Sequence, residues 1–244
     1  MKQTNTALFG IALMLVSSTA LAVPLSATGP DAFGYSGASI ANNLRNISST
    51  GTFVGLNDDQ TSGAINIGFN FDFYGLGYTQ TYISSNGFIG FSAGMSNGCC
   101  TGRNLPSDDG INNLISGLWE DLNLPQGNIR YQTLGTADSR AFVVGFYDVP
   151  NFFDGPRVTF EMILLEGSNN IELQYGAINN NGGTYSVGIE NATGTVGLQV
   201  YRGSVLDFDN SGYLISNRVP EPASLALLGI GLVGLAAMRR RKTA

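Results

Sequence analysis

Apolar and polar residues alternate along several short stretches of the chain. In segment 65–72 every second residue is isoleucine or phenylalanine, with polar residues or glycine between them. Segment 171–175 repeats the pattern with isoleucine, leucine and tyrosine. A period of two residues predicts β-strands that bury one face. In segment 158–165 the even-numbered residues are apolar, and Ile163 and Leu165 make the opposite face apolar too. This predicts a central strand covered on both faces.

Turn-forming residues separate these stretches at short intervals. The chain contains 33 glycines, and Asn-Gly pairs such as Asn86-Gly87 suit the positive φ of tight hairpins. About ten short strands and no long amphipathic helix are expected. The pattern predicts an all-β fold, a single β-sandwich or jelly-roll-like domain over residues 65–218. Residues 23–64 are weakly patterned and are expected to form a lead-in, with edge strands as an alternative.

The first 22 residues have the layout of a secretory signal peptide. Lys2 precedes the apolar run 7–16, and the small-residue exit Ala20-Leu21-Ala22 follows. We therefore expect export and cleavage by signal peptidase after Ala22. A core helix is the alternative.

The net charge of residues 23–218, the body of the chain between its two terminal segments, excludes some classes of function. Residues 23–218 contain seven arginines, no lysine and seventeen acidic residues, so their net charge is about −10. This charge argues against nucleic-acid binding. Histidine is absent from the whole chain, which removes the commonest general base and zinc ligand. We therefore expect no enzymatic activity and no catalytic residues.

The chain ends with a proline-containing motif, a short apolar run and a basic cluster. The run 223–238 has sixteen uncharged residues, which as a helix would span about 24 Å, just short of a bilayer core. The basic cluster would lie on the cytoplasmic side. The motif and cluster residues are Val219, Pro220, Glu221 and Pro222, then Arg239, Arg240, Arg241 and Lys242.

This layout over residues 219–244 resembles the PEP-CTERM sorting signal of Gram-negative bacteria. The resemblance implies recognition by an exosortase, cleavage near Pro-Glu-Pro and a transient stay in the inner membrane. It also implies release to the cell surface or to an extracellular matrix, where exopolysaccharide is a candidate partner. A permanent single-pass transmembrane anchor is the alternative.

The body carries a second resemblance. It passes from an F-x-F-Y-G element at 71–75 through Ser-Asn-Gly at 85–87 to a W-x-D element at 119–121. This succession is similar to the nidogen-like extracellular domain. The resemblance implies a β-sandwich in an extracellular setting, and it transfers no catalytic residue.

Cys99 and Cys100 are the only cysteines. In an oxidising compartment a disulfide between these neighbours is the favoured interpretation. Two free or intermolecularly bridged thiols and a metal or redox role are the alternatives. Without histidine, two thiols make a poor zinc site.

The segment Trp119-Glu120-Asp121 is the most distinctive candidate site, with the only tryptophan followed by two acids. The favoured interpretation is a core tryptophan at a strand end, followed by acids in a solvated turn. In the binding alternative, Trp119 stacks on a sugar while the acids hold hydroxyls or calcium. In the hydrolase alternative, the acids cleave a glycoside, although neighbouring carboxylates on a strand point to opposite faces.

Asp207, Asp209 and Ser211 match the front half of a calcium loop. Arg218 stands where that loop needs its bidentate acid, so a complete EF-hand is excluded. A partial calcium site is one interpretation, and a polar turn before the last strand is favoured. The acid pairs 58–59 and 108–109 are interpreted as ordinary loop residues.

These observations together predict a non-enzymatic, exported surface or matrix protein with a structural or adhesive role. A carbohydrate-binding module of the exopolysaccharide matrix, with calcium as a candidate cofactor, is the alternative. A carboxylate hydrolase and an ice-binding protein are weaker candidates, the latter because no regular array of threonines is present.

Overall fold

A computed structural model describes residues 25–26, 28–123, 127–152, 155–179 and 182–217. The predicted signal peptide and the tail 219–244 lie outside the described residues. The described residues form thirteen strands, and none of them is helical. The strands are β1 (Tyr35–Ile40), β2 (Thr52–Phe53), β3 (Ile65–Phe73), β4 (Leu76–Ile83), β5 (Phe88–Gly90), β6 (Leu114–Trp119), β7 (Asn128–Leu134), β8 (Ala141–Pro150), β9 (Arg157–Leu165), β10 (Ile171–Ile178), β11 (Tyr185–Glu190), β12 (Gly197–Gly203) and β13 (Gly212–Asn217).

The strands make two antiparallel sheets that pack as a sandwich, so the predicted all-β sandwich is confirmed. One sheet has seven strands in the order β1-β13-β10-β9-β8-β7-β2, and the other has six in the order β12-β11-β6-β5-β4-β3. The segment 23–64 supplies β1 and β2, which form the two edges of the seven-stranded sheet.

The predicted alternation appears directly in the burial of the strands. In β3 buried and exposed residues alternate along its whole length. Strand β9 lies between β8 and β10, and its residues from Phe160 to Leu164 are all buried. The central position predicted for this segment is therefore confirmed.

The two sheets touch closely at Gly117 of β6. A Cβ atom at this position would lie 2.7 Å from Cε2 of Phe160 in the opposite sheet, so only glycine fits without movement. Tyr175 of β10 donates a hydrogen bond from its hydroxyl to the carbonyl of Gly117, at 2.9 Å. This bond satisfies a buried tyrosine hydroxyl and links the sheets across the core.

A β-bulge in β6 changes which side chains face the core. Ser186 pairs with Trp119 and Gly188 pairs with Ser116, so β6 contains one extra residue between these two pairs. Leu118 consequently packs in the main core between the sheets, whereas Trp119 packs in a separate cluster.

Two satellite clusters cover outer faces of the sheets. Trp119 packs with Phe88 and Leu105 beneath the loop 92–113. On the seven-stranded sheet, Ile47 from the loop 41–51 packs against Val143 of β8 and other residues. Loops thus bury strand faces that a simple two-layer sandwich would leave in water.

Candidate functional site

Trp119 is enclosed by protein and is only 1% exposed. Its indole N–H donates to the carbonyl of Gly98 at 2.7 Å, and its ring centroid lies 4.7 Å from that of Phe88. The guanidinium carbon of Arg103 lies 5.8 Å from the ring centroid. The burial of the ring confirms the favoured interpretation of Trp119 as a core residue, and a ring covered in this way is closed to a sugar.

Glu120 is 4% exposed, so the solvated turn expected for this acid is wrong. Its Oε2 accepts a long hydrogen bond, 3.5 Å, from the backbone N–H of Gly102. Burial raises the pKa of this carboxyl to about 7, against the lowering effect of the Gly102 N–H. Glu120 therefore contacts the loop after Cys100 and is not available to a large ligand.

Asp121 lies beside Asp58 and Asp59, which belong to the connection between β2 and β3. One carboxylate oxygen from each residue lies within 4.8 Å of the others. Burial, and then the charges of Asp58 and Asp59, raise the pKa of Asp121 to about 6. Asp58 and Asp59 do lie in a turn, as expected for loop acids, and they also meet Asp121 in one carboxylate cluster.

Asn86 of the Ser-Asn-Gly turn holds this cluster in place. It is fully buried, its amide donates to Oδ1 of Asp59 at 2.7 Å, and its Oδ1 accepts the N–H of Leu122 at 3.2 Å. Asn97 donates a further hydrogen bond of 2.6 Å to the carbonyl of Asp59. The Ser-Asn-Gly and W-x-D elements, separated in sequence, are thus adjacent in the fold.

The cysteine pair lies next to the same cluster. The structure joins Cys99 to Cys100 as a disulfide between neighbouring residues. Sγ of Cys100 lies 3.9 Å from Oδ2 of Asp59, and the N–H of Cys99 donates to Oδ1 of Asn97 at 2.9 Å. The disulfide loop therefore forms one wall of the carboxylate cluster.

The predicted partial calcium loop has side chains that stabilise a turn. Oδ1 of Asp209 accepts the N–H of Ile178 at 2.8 Å, and the hydroxyl of Ser211 donates to the carbonyl of Phe208 at 2.5 Å. Asp207 is exposed to solvent. These contacts support the polar-turn interpretation, because Oδ1 of Asp209, one of the candidate calcium ligands, already accepts a backbone hydrogen bond.

Glu190, at the end of β11, is a buried acid that the sequence analysis missed. It is fully buried, and its Oε2 accepts the N–H of Ser107 at 2.9 Å. Its Oε1 is closed to solvent and has no hydrogen-bond partner. Burial raises its pKa to about 8, although Arg103 and the Ser107 N–H act in the opposite direction. Its place in an alternating strand gave no sign that loop 105–111 would cover it.

We predict that Glu190 makes the protein less stable as the pH rises. The pKa is raised from 4.5 to about 8, so between these values the unfolded chain has released the proton that the folded chain keeps. Replacing Glu190 with glutamine should raise the free energy of unfolding by about 2–4 kcal/mol at pH 8 and by much less at pH 4. Urea unfolding across this pH range measures the effect.

The exposed Asp108→Asn variant is the control and should keep the pH slope of the original protein. If Glu190→Gln shows the same slope as the original protein, ionisation of Glu190 does not contribute to the slope.

An aromatic cleft of about 210 Å³ lies at the turn between β3 and β4. Phe33 and Leu76 line it and are 43% and 54% exposed. Tyr74 and Tyr78 continue the apolar surface, and Asn191 and Thr193 lie on its polar side. The lining of this cleft is therefore mostly apolar and aromatic.

Asp31 fixes the aromatic wall of this cleft. Its Oδ1 accepts the N–H groups of Phe33, Gly34 and Tyr35 at 2.8–3.0 Å. Its Oδ2 accepts the hydroxyl hydrogen bond of Tyr74 at 2.7 Å. The rings of Phe33 and Tyr74 are 5.2 Å apart, so the wall is held by both hydrogen bonds and ring packing.

The fold is that of an all-β sandwich domain. Residues 34–213 match the family described as NIDO related, and the chain belongs to this family. Residues 218–242 match the PEP-CTERM protein-sorting motif. Both resemblances inferred from the sequence are thereby confirmed. No curated protein and no solved structure is significantly similar to the chain.

The sorting motif supports export and a location at the surface or outside the cell of a Gram-negative bacterium, and it implies processing by an exosortase. The motif residues 219–222, the predicted helix 223–238 and the basic residues 239–242 lie outside the described part of the chain. The described residues contain no apolar helix of membrane-spanning length.

Proposed function

We propose that the chain is a non-enzymatic adhesion or structural protein displayed at the cell surface. The observation that carries the proposal is the direct succession of the two matched regions. The NIDO-related domain ends at residue 213 and the sorting motif begins at residue 218. The sandwich is therefore the domain that the motif would sort to the cell surface. A β-sandwich does not by itself specify a function, so the proposal rests on the display of this acidic domain by the sorting motif.

The carboxylates support the absence of enzymatic activity. Histidine is absent, and Glu120 and Asp121 have different surroundings. Glu120 contacts Gly102, whereas Asp121 belongs to the cluster with Asp58 and Asp59. Neighbouring acids with separate environments do not supply the facing pair that glycoside hydrolysis needs.

Carbohydrate binding is a second candidate, and the aromatic cleft is the observation that favours it. Its volume of about 210 Å³ is small for a drug-sized ligand and suits one ring-sized group. The exposed ring of Phe33 offers an apolar face, and Asn191 and Thr193 offer polar groups beside it. One sugar unit of an exopolysaccharide fits this combination.

Adhesion of whole cells tests both proposals. Cells lacking the chain should adhere less to a surface coated with their own exopolysaccharide, and the full chain should restore adhesion. Changing Phe33 and Leu76 together to serine should weaken the restored binding about tenfold or more if the cleft holds the ligand.

The matched control is Phe53→Ser, because Phe53 is 56% exposed but lies outside the cleft. It should restore adhesion fully. Equal adhesion with and without the chain would contradict the adhesive role. Restored adhesion by the Phe33 and Leu76 variant, or no competition by soluble polysaccharide, would remove the carbohydrate candidate alone.

A further inference from the structure

We propose that the Pro-Glu-Pro segment of the sorting motif, residues 219–222, docks in the aromatic cleft of the same chain before the motif is cleaved. The proposal goes beyond the adhesive function, because it gives the cleft an occupant that belongs to the chain itself. It begins with the place where the described chain ends. Asn217 is the last residue of β13, and the match to the sorting motif begins at the next residue.

The described chain ends beside the aromatic wall of the cleft. Asn217 pairs with Tyr35, the first residue of β1, in the antiparallel register of the seven-stranded sheet. Phe33 lies two residues before Tyr35, and the centroids of these two rings are 5.8 Å apart. Because Phe33 lines the cleft, the motif starts at the end of the sandwich that carries the cleft.

The distance to the cleft matches the length of the segment. Paired Cα atoms of antiparallel strands are about 5 Å apart, and two residues of chain add at most about 7 Å, so Asn217 lies within about 12 Å of Phe33. An extended chain spans about 10 Å from Asn217 to Pro220 and about 17 Å from Asn217 to Pro222. Both prolines can therefore reach the cleft without any change in the domain.

The chemistry of the cleft suits proline. Phe33, Tyr74 and Tyr78 line it, and Leu76 and Val196 extend its apolar surface. Grooves lined by aromatic rings are the surfaces on which proline-rich segments dock in several recognition domains. Proline has no N–H group and loses almost no side-chain freedom when it is buried. A proline on this wall therefore leaves no donor unsatisfied and orders no flexible side chain.

The spacing of the two prolines fits a single contact face. In an extended segment residues two positions apart face the same side, so Pro220 and Pro222 face the cleft together while Glu221 faces away. The cleft volume of about 210 Å³ suits one ring-sized group. One proline enters the cleft, and the other packs on the exposed side chain of Leu76.

The covalent link favours the chain's own segment as the occupant. A short tether gives an effective concentration in about the millimolar range, so even a contact with a dissociation constant of about 1 mM fills the cleft in about half of the molecules. The docked segment has to leave the cleft before an exosortase can bind it. Docking would thus link the surface of the domain to the sorting step.

Photo-cross-linking tests the proposal in the full, uncleaved chain, produced in a host without an exosortase and purified in a mild detergent. The photoreactive amino acid p-benzoylphenylalanine replaces Phe33, and mass spectrometry of the digested monomer identifies the residues that it attaches to. We expect the main cross-link within residues 219–222. The matched control carries the same amino acid in place of Phe53, an exposed ring of β2 at the opposite edge of the seven-stranded sheet, and should not reach the segment.

Further variants separate docking from proximity alone. Changing Pro220 and Pro222 together to serine keeps the tether but removes both rings, so the yield of the cross-link from position 33 should fall about fivefold or more. Leu76→Ser removes part of the apolar wall and should also lower the yield. Val205→Ser, which changes an exposed apolar side chain outside the cleft, should leave the yield unchanged.

Any of four results would overturn the proposal: no cross-link from position 33 to residues 219–222, the same cross-link from position 53, an undiminished yield in the double proline variant, or cross-links that join two chains instead of closing within one. Because the experiment measures only contact with the segment 219–222, its failure leaves the adhesive function standing.

Discussion

Replacing Trp119 with alanine should lower the free energy of unfolding by about 3–5 kcal/mol. The side chain is 1% exposed and packs against Phe88 and Leu105, so its removal leaves a cavity under the loop 92–113. It also leaves the buried carbonyl of Gly98 without the indole N–H. Urea unfolding followed by circular dichroism measures the loss, since Trp119 is the only tryptophan and its fluorescence disappears in the variant.

Phe53→Ala provides the control, because this aromatic side chain is 56% exposed. It should cost less than about 1 kcal/mol. An intermediate loss is expected for Trp119→Phe, which keeps an aromatic ring but not the N–H. If Trp119→Ala were as stable as Phe53→Ala, the ring would be a surface group, and a ligand-binding role for it would return.

Replacing Glu161 with leucine should cost about 3–5 kcal/mol. Glu161 lies in β9 on the outer face of the seven-stranded sheet and is fully buried. Its carboxylate accepts the N–H groups of Arg45 and Asn46, at 2.7 and 2.8 Å, and the hydroxyl hydrogen of Tyr147 at 2.5 Å. Leucine would leave these donors unsatisfied and release the loop 41–51 from the sheet.

The variant Glu161→Gln removes the charge of the side chain but keeps its shape. Glu161→Gln keeps one acceptor but turns an N–H₂ group toward existing donors, so we expect a loss of about 1–3 kcal/mol. Glu172→Gln is the control, because Glu172 also contacts Arg45, at 3.1 Å, but through a partly exposed ion pair. It should cost less than about 1 kcal/mol. Faster hydrogen exchange in the loop 41–51 should accompany the Glu161 variants only.

The burial of strands β3 and β9 could be predicted from the sequence because it depends on local pattern. The alternation in β3 shows that one face of the strand is covered, and apolar residues on both faces of β9 show that both are covered. Neither conclusion requires knowing which element covers the face. The same logic did not predict the burial of Glu120, which was expected in a solvated turn. The bulge adds one residue to β6 and so interrupts the alternation of its two faces. In addition, the loop 92–113, whose sequence has no regular pattern, covers the outer face of the six-stranded sheet.

The carboxylate cluster was beyond sequence analysis for a different reason. Asp58 and Asp121 are more than sixty positions apart, and neither belongs to a motif with fixed spacing to the other. Only the packing of the connection before β3 against the end of β6 brings them together. The adjacent pair 58–59 looks the same in sequence as the pair 108–109, although among the described residues only the pair 58–59 meets a third carboxylate.

The amino-acid sequence was sufficient for the strand pattern, the all-β class, the family and the sorting motif. Each of these rests on neighbouring residues or on a contiguous stretch, so its signal survives without knowledge of the fold. The tertiary structure was needed to show that Glu120, Glu161 and Glu190 are buried and that three aspartates lie together. Such burial depends on contacts between residues distant along the chain, and a change of one residue in strand register moves a side chain from one face to the other.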